Sequence, residues 1–275
     1  MPVSAASRAT GGDVRTASFS AMGFICSFIV AGFVLQLAAN AWPVRAFEHG
    51  KEVRIDLLAL VVALASQLAI ASVAFPWISS VQDVDVVRSS YLYLLTLTPI
   101  SAGLFYFFVV DFLAYWMHRL NHVAWLWPTH AFHHSSRNLY WASGMRGSPV
   151  HFVLLGVPSL LVQVVFDPQG PVLSLVLAYG VVHNSLIHSN VRVPLRLLNW
   201  VFVTGRSHMV HHGRDPRLGG SNFGFLFTFW DRLFGTWVDP GSLAPDFPLG
   251  LGYEIGTARL VIGLPPETTR TGEAA

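Results

Sequence analysis

Charged residues are scarce in this sequence, and cysteine is nearly absent. Asp, Glu, Lys and Arg together make up 12% of its 275 residues, whereas soluble domains carry about 25%. With 53% hydrophobic residues and a mean hydropathy of +0.51, a soluble globule would leave much of its surface apolar, so that class is excluded. The single cysteine, Cys26, excludes an intrachain disulfide framework and a thiolate metal site. A net charge of only +2, with no dense Lys/Arg stripe, argues against a nucleic-acid partner.

Long uncharged runs predict membrane-spanning helices. The 23-residue run Ser18–Asn40 contains no charge and is long enough to cross a bilayer. A cleaved secretory signal is the alternative there, but the apolar core of such a signal has only about 7–15 residues. Two more spans are predicted at Leu57–Gln82 and Ser89–Val110, and the second continues as an amphipathic helix through His118.

A tight helical hairpin is predicted from two shorter apolar segments, Pro149–Phe166 and Pro171–Ile187, which flank a Pro- and Gly-rich turn signal. The loops predict the orientation, because cytoplasmic loops carry an excess of Lys and Arg. Three basic residues lie in Trp42–Asp56, whereas Val81–Ser90 has two Asp and one Arg. The first of these loops, and with it the histidine-rich region, is therefore expected on the cytoplasmic side.

Histidine is the residue that the sequence has in excess, and its spacing predicts a metal site. Eleven of the twelve histidines fall between His118 and His212. Within the three main clusters they are three or four positions apart, which places their imidazoles on one helical face, where they can converge on an ion. His49 is interpreted as an ordinary polar residue, and so is His151, with a minor claim to be a ligand. The ten candidate ligands, enough for two metal ions, are His118, His122, His130, His133, His134, His183, His188, His208, His211 and His212.

The fold class that follows is an all-α integral membrane protein, with about four to five membrane helices and a cytoplasmic helical cap that holds a dinuclear metal site. No internal repeat or soluble second domain is evident. The expected organisation is an N-terminal tail (1–17), membrane helices (18–110), a histidine-box domain (111–237) that includes the hairpin (149–187), and a C-terminal tail (238–275).

Acidic residues near the histidines are candidates for the outer contacts of the site. Two divalent cations among neutral imidazoles leave excess positive charge, which carboxylates or a bridging hydroxide must offset. Asp111 lies seven residues before His118 and so on the same helical face. Asp215 and Asp231 flank the last cluster, although surface ion pairs with nearby Arg are an equal interpretation for these two.

These motifs resemble the fatty acid hydroxylase/sterol desaturase superfamily over about Asp111 to Trp237. The third box and the segment after it are especially similar to the alkylglycerol monooxygenase branch. The matching stretches are Asp111–His122 and Trp127–Ser136 for the first two boxes, His188-Ser-Asn190, His208–Asp215 for the third box, Asn222-Phe-Gly224 and Trp230–Thr236.

The resemblance implies a membrane-embedded non-haem di-iron oxygenase that uses O₂ and two electrons to hydroxylate or desaturate a lipid. It gives the ligand role to every candidate histidine except His183, whose role varies in the family. One departure is that the family often has an H-P-x-E pattern after Arg146. Here the sequence reads Gly147-Ser-Pro-Val-His151, so that His151 replaces a family carboxylate.

The expected partners are a lipid substrate in the bilayer and a separate electron-transfer protein, of ferredoxin or cytochrome b type. The sequence has neither a dinucleotide-binding glycine fingerprint nor a cysteine cluster that could supply electrons itself. One alternative function is a zinc-dependent membrane hydrolase, but no H-E-x-x-H occurs and Glu is absent between Glu52 and Glu254. The other is a membrane metal carrier, whose ligands would lie near the bilayer midplane rather than at span ends.

An aromatic face precedes the first histidine box. Phe108, Phe112 and Tyr115 share one side of the predicted helix that leads to His118. Core packing is one interpretation of this face, and the wall of an apolar substrate tunnel is the other.

Overall fold

Helices are the only regular elements in the part of the chain that the structure describes. The computed structural model describes residues 29–44, 52–82, 99–166, 170–192, 197–244 and 246–267. Within these ranges extended segments meet only in three isolated bridges, and no strand forms. The predicted all-α class is confirmed for these residues. His49, Cys26, Asp83 and the charged loops that predicted the orientation lie wholly or partly outside them.

Eleven α-helices and two short 3₁₀ turns, Ser143–Met145 and Pro240–Ser242, make up the described structure. The helices are α1 (Ile29–Ala41), α2 (Val53–Gln82), α3 (Pro99–Asn121), α4 (Trp127–His134), α5 (Pro149–Phe166), α6 (Gly170–His188), α7 (Leu198–Val201), α8 (Gly205–His211), α9 (Pro216–Gly219), α10 (Phe229–Leu233) and α11 (Thr257–Ile262).

One helix among the described residues is long and apolar enough to cross a membrane. Val53–Ile78 of α2 has 26 residues, with a mean hydropathy of 2.3. Its side chains Leu57, Val61 and Leu68 are 60%, 64% and 64% exposed, so α2 presents an apolar surface outward. Helices α1 and α5 are apolar but shorter.

Helix α5 packs against both α2 and α3. Ala63 of α2 shares a core cluster with Phe152 of α5, and Ala74 shares another with Val164. Small side chains such as alanine let helix axes approach closely in a membrane protein. Helices α3 and α5 contact the short helix α4, and α6 contacts the short helix α8. The histidines of the three boxes lie on these helices or next to their ends.

A buried arginine ties α2 to the histidine region. Arg146 is 1% exposed, and it donates from Nε to Asp56 at 2.6 Å and from Nη2 to Glu52 at 3.0 Å. The hydroxyl of Tyr140 donates to the second oxygen of Asp56 at 2.6 Å. Because the charges are paired and hydrogen-bonded, the start of α2 is held at a fixed place beside the site.

The aromatic face of α3 is buried at Tyr115 and open at Phe108, which is 49% exposed. Tyr115 is fully buried, in a cluster with Phe223 and Trp230. The ring of Trp230 lies 5.0 Å from that of Phe108 and 4.9 Å from that of Phe112. The core-packing interpretation therefore describes Tyr115, whereas a substrate route along Phe108 and Phe112 stays a prediction.

Candidate metal centre

Nine buried or half-buried histidines form two adjacent groups. Within each group one ring nitrogen from each histidine lies within 4.8 Å of all the others. Because no other described residue type belongs to either group, the donor set is all imidazole. The first group is His118, His122, His130, His134 and His211, and the second is His133, His188, His208 and His212.

The second and third histidine boxes contribute to both groups, whereas the first box, His118 and His122, contributes to the first group alone. In α4, His130 and His134 face the first group and His133 faces the second; in the α8 region, His211 faces the first and His208 the second. Residues four apart on a helix are nearly aligned, whereas a residue at a spacing of three lies to one side of them. The prediction that a cluster converges on one ion agrees with the grouping of His118 and His122. It is wrong for the other two clusters, because the histidines of α4 and of the α8 region are divided between the two groups.

Backbone carbonyls fix the orientation of four of these rings. Nδ1 of His118 is 2.9 Å from the oxygen of Phe223, and Nδ1 of His211 is 2.7 Å from the oxygen of Ser221. The same contact joins His133 to Arg146 at 3.1 Å and His188 to Asn184 at 2.7 Å. A carbonyl only accepts, so Nδ1 carries the proton and the lone pair of Nε2 faces the group.

The Nε2 atoms are spaced as ligands around an ion are. In the second group they form a series, with 3.2 Å from His133 to His188, 3.0 Å to His208 and 3.2 Å to His212. Metal–nitrogen bonds of about 2.1 Å would put neighbouring octahedral ligands about 3.0 Å apart.

Inward nitrogens of the first group lack protein partners. Nε2 of His118, His122 and His211 is buried and makes no hydrogen bond. Buried polar atoms are nearly always satisfied, so unsatisfied atoms aimed at one point indicate a missing ligand there. The residues present therefore fit a metal pair.

Burial keeps the imidazoles neutral, which is the form that binds metal. Desolvation lowers the pKa of His118 to about 4. It also lowers the pKa of His134, His208 and His211 well below its usual value, and neighbouring imidazoles lower it further. Little proton release is then needed when a cation enters.

His183 lies apart from both groups. Its Nε2 is 2.7 Å from the carbonyl oxygen of Phe225, and its Nδ1 is 3.1 Å from the hydroxyl of Tyr179. Both ring nitrogens therefore have protein partners. Its position does not support the prediction that His183 is a ligand.

The three acidic candidates do not touch the imidazoles. Asp111 accepts from the backbone N–H of Leu226 at 2.7 Å and from the Trp230 indole at 2.8 Å. Asp231 accepts from the backbone N–H of Phe223 at 2.7 Å, and burial raises its pKa to about 6. Both hold the segment whose carbonyls orient the histidines, and so act one contact further out than predicted.

Asp215 lies at the surface. Its carboxylate pairs with Arg217 at 2.6 Å, and both side chains are exposed to solvent. It also accepts from the backbone N–H of Arg217, which caps the short helix α9. The surface ion pair, one of the two interpretations of Asp215, describes it.

Asn222 is a structural residue of the site to which the sequence analysis gave no role, although it named the Asn222-Phe-Gly224 motif. It stands between Ser221 and Phe223, with a left-handed φ of 51°, and its amide donates to the carbonyls of Ser207 and Val238 at 3.0 Å. This turn aims the two neighbouring carbonyls at His211 and His118. The Asn-Phe-Gly motif was the available signal.

Comparison with known proteins relates part of this chain to a family. Residues 103–236 match the model of the fatty acid hydroxylase family. An alkylglycerol monooxygenase of Xenopus tropicalis is 32% identical over 133 residues, which are 48% of this chain and 29% of that protein. A methylsterol monooxygenase of Arabidopsis thaliana is 28% identical over 136 residues, 48% of this chain and 51% of that protein.

A third relative has a different named activity. A very-long-chain aldehyde decarbonylase of Oryza sativa is 29% identical over 140 residues, 50% of this chain and 52% of that protein. The chain thus spans about half or less of the length of these relatives. No solved structure matches it. The resemblance stated from the motifs is confirmed by these matches.

Proposed function

We propose that this chain, whose residues 103–236 belong to the fatty acid hydroxylase family, is a membrane oxidoreductase that modifies a lipid with O₂ at a di-iron centre. The observation that carries the proposal is the convergence of nine neutral imidazoles in two adjacent groups. Imidazole is a suitable ligand for iron, and the lack of cysteine in either group disfavours a structural zinc site.

The two imidazole groups would bind the two metal ions. The first group would hold one ion and the second group the other. Five of the nine rings are oriented by an Nδ1 contact. When bound, the iron pair supplies the oxidising power, drawn from O₂, that an unactivated C–H bond requires. The all-nitrogen donor set leaves net positive charge, so hydroxide or another small anion is expected between the groups.

A lipid is the proposed substrate. The named relatives act as alkylglycerol and methylsterol monooxygenases and as an aldehyde decarbonylase. The outward apolar side chains of α2 would be covered by a bilayer, from which an apolar chain can reach the site. The monooxygenase names favour hydroxylation as the outcome, and desaturation is the second outcome that the same assay detects.

The site is proposed to face the cytoplasm in a multi-pass protein, with electrons delivered by a separate ferredoxin or cytochrome b type protein. The basic loop Trp42–Asp56 supports this orientation. In a Cys26→Ser background, single cysteines at Asp83 and Asp246 test it. An impermeant thiol reagent added outside cells should label position 83 and not position 246, and the reverse pattern would refute the orientation.

Lipid analysis tests the reaction. Cells that express the protein should contain a lipid with one added oxygen, or with two hydrogens fewer, which is missing from cells that express the His118→Ala variant. Label from ¹⁸O₂ should enter a hydroxylated product. An unchanged lipid profile under aerobic conditions, with iron-loaded protein and a reducing partner present, would contradict the proposed function.

A further inference from the structure

His130 is the exception among the oriented imidazoles. Five histidines of the two groups have an Nδ1 hydrogen-bond contact in the described structure, and in four of them the partner is a backbone carbonyl. For His130 the partner is the Nδ1 atom of His151, at 2.8 Å. Both rings are almost completely buried, so water does not compete for this contact.

We propose that His151 is a positioning residue for the metal ligand His130, which it orients by accepting a hydrogen bond at Nδ1. This inference rests on the proposed metal pair, because the role of His151 is to aim His130 at the first ion. His151 itself belongs to neither imidazole group, and its Nδ1 contacts His130.

The ring of His151 is fixed by its own surroundings. The backbone N–H of His151 donates to Ser148 Oγ at 3.2 Å, and that hydroxyl donates to the carbonyl of Thr129 at 2.8 Å. The start of α5 is therefore tied to the residue that precedes His130. A Cβ atom on Gly147 would lie 2.4 Å from the His151 ring, so the glycine leaves the space that the ring needs.

The direction of the hydrogen bond follows from the other side of His130. Its Nε2 is 3.2 Å from Nε2 of His134, and both atoms belong to the first group. With a cation in that group both Nε2 atoms present lone pairs, so the proton of His130 lies on Nδ1. It is donated to Nδ1 of His151, whose own proton then lies on Nε2.

The ring of His151 also stacks on one histidine of each group, so loss of the ring and loss of the hydrogen bond should affect different numbers of ions. Its ring lies 4.8 Å from that of His130, at 27°, and 5.3 Å from that of His133, at 24°. Losing only the hydrogen bond affects the first group, whereas losing the stacked ring affects the first and the second. The number of ions weakened distinguishes the two effects.

A matched pair of substitutions isolates the acceptor. His151→Asn keeps an acceptor, Oδ1, at about the place of Nδ1, and His151→Leu has the same branched shape without an acceptor. Removing such an outer partner typically weakens metal binding about 10–100-fold. After dialysis of the iron-loaded full chain against a graded chelator, we expect the Leu variant to lose one ion of two at about 10–100-fold lower chelator strength, and the Asn variant to behave as wild type.

Each outcome decides the inference. A folded Leu variant that retains both ions as wild type does would overturn it, and so would equal loss from the Asn and Leu variants or loss of both ions together. If the Leu variant does not fold, His151→Phe, which has an apolar ring, replaces it in the comparison with the Asn variant. If neither apolar variant folds, the folded Asn variant decides: iron loss from it overturns the inference, and full retention of iron supports it. A wild-type protein that binds no iron would instead refute the proposed function.

Discussion

The Nδ1 atom of His118 lies 2.9 Å from the backbone oxygen of Phe223, a residue 105 positions later in the chain. The same three-residue turn directs the Ser221 oxygen to His211. The end of the long helix α3 and the loop before α10 therefore depend on each other, and the first imidazole group is assembled only when both are in place.

Removing one imidazole should remove one ion. We expect His118→Ala to release the ion of the first group and His212→Ala that of the second, because each loses a ligand from a set of five or four. Both variants should lose lipid oxidation. His49→Ala, outside the histidine clusters, is the control that should keep both ions and full activity; activity in either of the first two variants would remove that residue from the ligand set.

Gly224→Ala should destabilise the protein by about 1–3 kcal/mol. A Cβ atom there would meet the Phe227 oxygen at 2.6 Å and the Asp231 carboxylate at 2.8 Å, and so disturb the segment that orients His118. Gly180→Ala is the matched control, since nothing lies within 4 Å of its Cβ position. Thermal unfolding in detergent measures both, and equal midpoints for the two variants would show that the loop tolerates the methyl group.

Arg146→Met should lower the free energy of unfolding by about 3–5 kcal/mol, because it leaves two carboxylates without their cation at a buried position. Arg146 is 1% exposed and contacts Asp56 and Glu52. The control is Arg217→Met, which breaks an ion pair that is open to water and should leave the unfolding midpoint unchanged. An equally small effect at Arg146 would mean that α2 is held in place by its apolar contacts alone.

The stability of the metal-free protein should fall as the pH falls. Burial lowers the pKa of His118 to about 4 and holds the pKa of His208 well below its usual value. Below about pH 6.5 the unfolded chain then binds more protons than the folded one, so stability rises with pH up to that value and levels off above it. Unfolding midpoints of metal-free protein across this range give the slope, and a midpoint that does not change with pH would contradict the buried neutral cluster.

The local spacing of residues predicted the helices and the set of histidines that come together. It did not predict how these histidines are divided between the two groups. The spacing of His130, His133 and His134 gives a shared helical side, whereas the division between groups depends on where α8 packs against α4. That packing joins residues about eighty positions apart, and no local pattern contains it.

The outer contacts were the least predictable part of the site. Asp111 and Asp231 were candidates for outer contacts of the site, with a surface ion pair as the equal interpretation of Asp231. Both are buried, and they accept from backbone N–H groups of the loop 223–227. Backbone carbonyls do most of the orienting, and a carbonyl leaves no side-chain signal in the sequence. His183 has the residue type and approximate place of a ligand, but its ring faces Phe225.

Metal analysis of the protein purified in mild detergent tests the central claim most directly. The two imidazole groups predict close to two iron ions per chain in protein that is active on lipid. Active protein with one ion, with none, or with zinc in place of iron would contradict the account.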